Sequence, residues 1–290
     1  MAIAWALTFN LACHRKPSFG AEQQAGFRDI YGTQRGSAMT VESATRAAQC
    51  DIYLSLLGGF RVLAEETEIH VSTGTQRLLA FLALRTSWVR RTLVAGTLWP
   101  ESSEARAYAS LRSALSRVER PVRQAVQATQ MQLRLADGII VDLARGRALA
   151  HRILATGPLA EADLCPSAVE DLSSDLLCDW YDDWALLEIE DWRQLRLHAL
   201  EALAERLAAQ RRFIEATRAA LAAVKADALR ESPHATLMRV HLAEGNRSEA
   251  IRELTRYEKL LSFELGIAPS PALRALVDTI ERAHIAVTPR

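Results

Sequence analysis

From position 142 onward the chain is built from long Ala/Leu/Arg/Glu segments with helical period, and no other feature limits its fold as strongly. Apolar spacing predicts helices over residues 142–155, 186–210, 214–226, 233–244, 248–265 and 271–284. Stripes of that length leave no place for strands, so residues 143–290 are expected to form an all-α domain whose helices bury one another's faces.

A shift of 34 residues superposes Leu203 on Leu237, Glu215 and Ala216 on Glu249 and Ala250, and the turn Arg211-Arg212 on Gly245-Asn246. This is the tetratricopeptide period, in which paired helices stack into a curved array. Ala216 and Ala250 supply small sites where such helices approach closely. Arrays of this kind hold peptides or another subunit, so a protein-contact or dimerisation role is expected. The alternative is a helical domain that contributes only bulk.

Upstream, the pattern is different. Residues 52–57, 60–63 and 68–71 read as short strands, with a turn at Gly58-Gly59. A helix over 76–84 is apolar on most sides, as expected inside a small core. A second fits Arg91 to Leu98, and Pro100 stops it by pushing Trp99 out of helical geometry. Ser102 or Ser103 can cap a third, periodic from Ala105 to Arg120, with Glu104 suited to its positive end. Alternation in 131–135 and 139–141 around Asp137-Gly138 predicts a β-hairpin.

On a helical wheel the third helix gathers Ala107, Tyr108, Leu111, Ala114, Leu115 and Val118 on one stripe, and Arg106, Ala109, Ser113, Ser116, Arg117 and Arg120 opposite it. Two helices in tight connection, the second with a basic, small-residue face, and a hairpin beside them make a winged helix-turn-helix, whose recognition helix enters the major groove. The candidate DNA-contacting residues are Arg90, Arg91, Arg106, Arg112, Ser113, Ser116, Arg117 and Arg120, with Arg134 on the hairpin. Arginine takes guanine bidentately or pairs with phosphate, serine bonds to either, and small neighbours permit close approach. Over the whole chain 35 basic residues cancel 35 acidic ones, which neither demands nor forbids a polyanionic partner. Residues 71–136, however, hold ten arginines against three glutamates, so the neutral total hides a basic module.

The opposite bias marks 161–191, where eleven carboxylates occur without a Lys or Arg, interleaved with Trp180, Tyr181 and Trp184 and followed by Trp192. The expectation is that the aromatics anchor this connection to the helical array while the carboxylates face water. A metal site at Asp179, Asp182 and Asp183 is not predicted. Cys13, Cys50, Cys165 and Cys178 form no Cys-x-x-Cys pair, which suits a reducing cytoplasm rather than a zinc ribbon or disulfide scaffold. The apolar run 2–12 is too short to span a bilayer, so no membrane partner is expected. Residues 1–50 show no sustained period and read as a weakly ordered extension, with translation starting at Met39 as one hypothesis. There is no phosphate loop, nucleophile elbow or His-Glu-x-x-His, and the seven histidines are scattered, so neither catalysis nor a cofactor is expected. The fold class is therefore an α+β winged helix-turn-helix over 51–142 followed by the all-α, tetratricopeptide-like domain. Two functions fit: sequence-specific binding of promoter DNA, or a tetratricopeptide-like adaptor without it.

Several motifs also resemble a known family in order and content. Residues 57–62 (Leu57-Gly58-Gly59-Phe60-Arg61-Val62), 77–84, Leu98-Trp99-Pro100 and 111–117 resemble the DNA-binding half of the SARP family of bacterial activators. Trp184-Ala185-Leu186-Leu187-Glu188, Leu195-Arg196-Leu197 and residues 264–271 (Glu264-Leu265-Gly266-Ile267-Ala268-Pro269-Ser270-Pro271) resemble its bacterial transcriptional activator domain. The resemblance implies binding to direct repeats near promoters, a homodimer on DNA, and recruitment of RNA polymerase. It also implies that the loop Trp99, Pro100, Glu101, Ser102, Ser103 and Glu104 touches the polymerase.

Overall fold

A computed structural model describes residues 52–117 and 122–277. The extension 1–50, Met39 and Arg120 lie outside the described residues. The expected fold class holds: a small α+β half is followed by a helical array.

Strand β1 (Ile52–Ser55) pairs antiparallel with β2 (Arg61–Ala64), in register Ile52 to Ala64, and β3 (Thr67–Glu68) extends the sheet. Helix α1 (Thr73–Ala83) follows, capped by Ser72, whose Oγ accepts from the Thr75 amide at 3.4 Å. β4 (Val89–Arg90) leads into α2 (Arg91–Leu98), which stops at Trp99 before the proline as expected. After the turn comes α3 (Glu104–Ser116), whose cap Ser103 works through its carbonyl, accepting from the Ala107 amide at 2.9 Å.

The hairpin is not where Asp137-Gly138 suggested. A 3₁₀ turn (Val122–Ala125) runs into β5 (Val126–Ala128), which pairs antiparallel with β6 (Gln132–Leu135), and β4 joins the far side of β6. The wing is this three-stranded sheet, with its tip at residues 129–131. β7 (Ile140–Val141) instead crosses to the first sheet and lies parallel to β1, Tyr53 opposite Ile140. A two-residue type I′ hairpin has positive φ at both centres, and neither Asp137 nor Gly138 adopts it. The turn closed by the Ile139 amide on the Ala136 carbonyl (3.2 Å) therefore sends the chain onward rather than back.

α4 (Asp142–Leu154) begins directly after β7. The Asp142 carboxylate, buried under the first sheet, accepts from Ser55 Oγ (2.8 Å) and from the amides of Leu56, Leu57 and Leu143. Gly146 is required on α4, because a Cβ there would stand 2.9 Å from the Trp192 ring. A 3₁₀ turn (Glu161–Leu164) and α5 (Pro166–Ser173), which periodicity did not reveal, precede the long α6 (Asp183–Ala209). Then come α7 (Phe213–Ala226), α8 (Glu231–Glu244), α9 (Arg247–Glu264) and a final helical stretch at 271–277.

The 34-residue echo is written into the backbone. Arg211 (φ +61°) and Gly245 (φ +89°), one period apart, both take the left-handed conformation that ends a helix. α7 buries alanine alone, at 216, 219, 220 and 223, which lets it lie close against α6 and α8. One apolar core runs from Ile52 in β1 through α4 and α6 to Val240 in α8, and a smaller one joins α8, α9 and the last helical stretch. α1 faces two ways: Leu79 and Ala80 enter the large core, while Leu78, Phe81 and Leu82 meet Val94, Leu98, Leu111 and Leu133 in a separate core beneath α3.

Candidate nucleic-acid interface

The inner side of α3 is Ala107, Leu111 and Ala114, all buried, and this fixes what the helix turns outward. Ala105, Ala109, Arg112 and Ser116 form its exposed ridge, with Arg106 and Arg117 exposed along one flank and Ser113 half-buried. Arg112 thus stands at the middle of the ridge between two small residues. Ser116 Oγ donates to the Ser113 carbonyl at 3.0 Å, leaving its lone pairs available to an incoming donor. α1 holds α3 from behind: Thr75 Oγ1, buried, donates to the Ala114 carbonyl at 3.2 Å.

The wing stands beside α2. Its tip is rigid, since Thr129 Oγ1 accepts from the amides of Met131 (3.3 Å) and Gln132 (3.0 Å). Arg91 ties that tip to α2, its Nε donating to the Thr129 carbonyl (3.0 Å) and its amide to the Met131 carbonyl (2.9 Å). Arg134 sits at the root, donating to Gln127 Oε1 (2.6 Å) and Asp137 Oδ2 (2.7 Å) and lying 4.9 Å over the Trp88 ring. Both arginines brace the wing with the groups that sequence reading assigned to DNA.

The arginines divide sharply by partner. Arg90, Arg106, Arg112 and Arg117 are exposed and hold no acid among the described residues. Arg77, on α1, and Arg85, just past its end, are paired with Asp182 and Glu188 of the acidic segment. That pairing corrects part of the expectation that those carboxylates face water: Asp163 meets Arg152, Asp171 meets Arg145, and Asp175 meets the buried Arg196, whereas Glu170, Asp179, Asp183 and Asp191 are exposed. Trp180 and Trp184 anchor the segment as expected, stacking edge to face at 5.8 Å. Sequence reading missed this partition because Arg77 and Asp182 stand 105 positions apart.

In the loop before α3, Trp99 is half-buried against the core beneath the helix, and Ser102 turns back with its amide on the Trp99 carbonyl (3.1 Å). Pro100, Glu101, Ser103 and Glu104 are exposed. No helix among the described residues is long and apolar enough to cross a membrane.

Residues 141–281 match the family described as bacterial transcriptional activator domain. The chain is 29% identical over 245 residues to regulatory protein AfsR of Streptomyces coelicolor, a match that covers 80% of this chain but 24% of AfsR. Its fold is similar to that of Mycobacterium tuberculosis EmbR, solved in complex with a low-affinity phosphopeptide, at a TM-score of 0.56 and 22% identity. That likeness covers 81% of this chain and 66% of the EmbR chain. The matched domain follows the winged helix in this chain, and the similarity to AfsR spans both halves.

Proposed function

We propose that the chain is a sequence-specific DNA-binding activator that sets α3 in the major groove of promoter DNA and brings RNA polymerase to the promoter. One observation carries the reading: Arg106, Arg112 and Arg117 on α3 stand exposed without acid partners among the described residues, while Arg77 and Arg85 on the other side of the winged helix are neutralised by the helical half. Unpaired guanidinium groups on an outward helix flanked by alanine and serine are what groove entry needs. The wing, stiffened by Arg91 and Arg134, lies on the adjoining backbone, and Arg90 pairs with phosphate. Two copies occupy direct repeats, and the exposed part of the loop, Pro100, Glu101, Ser103 and Glu104, meets the polymerase.

The test is binding of the full chain to duplexes enriched from a random-sequence pool, across a salt series. Affinity for an enriched duplex should exceed that for a scrambled one and fall steeply as salt rises, because neutralised phosphates release counterions. Absent or salt-insensitive binding would point instead to an adaptor.

A further inference from the structure

Groove binding leaves the acidic segment without a task, yet two of its carboxylates reach the winged helix, one on α1 and one just past its end. Asp182 pairs with Arg77. Glu188 lies between two cations, 2.6 Å from Nη1 of Arg85, two residues past the end of α1, and 2.8 Å from Arg147 Nη2 on α4. Around these pairs the aromatics close: the Arg85 guanidinium sits 5.1 Å over Phe81, and Trp184 meets that ring edge-on at 5.4 Å. Trp180 continues the stack to Phe60 at 6.0 Å. The Glu188 side chain is only 18% exposed, so water screens these attractions less than at an open surface.

α1 is also the element that supports α3, through Thr75 on the Ala114 carbonyl and through the shared core of Leu78, Phe81 and Leu82. A bar held at one side by the helical half and at the other by the recognition helix transmits orientation between them, because packed cores do not deform smoothly. We infer that the acidic segment is a clamp on α1, with Asp182, Glu188 and Trp184 as positioning residues that set the angle of the recognition helix without touching DNA. The inference rests on the groove-binding reading. It makes discrimination between sequences depend on residues at the far side of the winged helix, while attraction to phosphate does not.

The experiment uses the full chain, a duplex enriched by the unaltered protein, and a scrambled duplex of equal length. Glu188→Gln and Asp182→Asn keep side-chain shape and remove the charge. Each is expected to lower the ratio of enriched to scrambled affinity by about tenfold while scrambled binding changes by less than about twofold. Amide exchange in Thr73–Ala83 should accelerate in both. Asp191→Asn, at an exposed acid of the same segment without a partner among the described residues, should change nothing. The exchanged pair Arg77→Asp with Asp182→Arg should restore both the ratio and the α1 protection, which also answers for any variant that folds poorly. An unchanged ratio in variants whose α1 exchanges faster, or unchanged exchange in all of them, overturns the clamp. Failure of the unaltered chain to enrich any duplex overturns the groove-binding reading itself and the clamp with it.

Discussion

Arg112 and Arg117 both leave α3 toward solvent, but from different places: Arg112 from the ridge between Ala109 and Ser116, Arg117 from the capping position one turn later. If α3 enters the groove as proposed, each reaches a base edge, so Arg112→Ala and Arg117→Ala are expected to cost about 1–3 kcal/mol of discrimination between sequences. Arg90, at the strand before α2, should behave as a phosphate contact. Arg90→Ala then weakens binding equally on all duplexes and lowers the salt slope by about one; titrations at several salt concentrations separate the two classes. Arg134 belongs to neither, because its guanidinium is already held by Gln127, Asp137 and the Trp88 ring. Arg134→Ala should leave the salt slope unchanged and lower stability by about 1 kcal/mol, read as a shift in denaturant midpoint. A slope that falls instead would return Arg134 to the DNA. The wheel alone turns Arg106 and Arg117 outward, since helical period decides which side chains cannot be buried, but it puts Arg112, at the middle of the exposed ridge, on neither stripe. That Arg91 and Arg134 brace the wing was not legible in the sequence, because folding brings Thr129 and Met131 to Arg91, and Trp88 and Gln127 to Arg134.

Among the elements, helices followed from the sequence to within a few residues at most ends, and the wing did not. Apolar period is a property of one segment, whereas strand pairing is a choice between segments: Ile139 to Val141 alternates well enough to pair with anything, and its partner turns out to be β1. α5 was missed because its eight residues give too few turns for a period to show. The repeat makes its own prediction at Arg211 and Gly245, which share the left-handed conformation that glycine tolerates and arginine pays for. Gly245→Ala should destabilise the array by about 1 kcal/mol, and Arg211→Gly should stabilise it by up to about 1 kcal/mol. Urea midpoints moving in the same direction for both would show that the two turns are not equivalent.

Across the whole molecule, acid should loosen the helical half before anything else. Burial alone would raise the Glu253 carboxyl, but His234 at 2.7 Å, with Arg256 and His241 near it, holds it below the ordinary glutamate range. The Arg152 bond lowers Asp163, and the Arg193 bond lowers Glu190. Groups depressed in the folded state stabilise it above their unfolded values and lose that contribution as pH falls through the folded ones. Asp142 runs the other way: burial raises it despite four donors, so its contribution is present at low pH and lost as pH rises through its folded value. Three depressed groups against one raised predict a melting temperature that falls between about pH 5 and pH 3. Glu253→Gln should flatten that fall; an unchanged profile would remove Glu253 as its source. The sequence by itself determined that this chain has a helical half with a 34-residue echo and a basic helix that must face outward, because periodicity and the cost of burying charge act within a segment. Only the tertiary structure decided which strands form the wing and which arginines of the winged helix pair with acids of the helical half. Those outcomes depend on pairings between residues up to 105 positions apart, and no local preference encodes such a pairing.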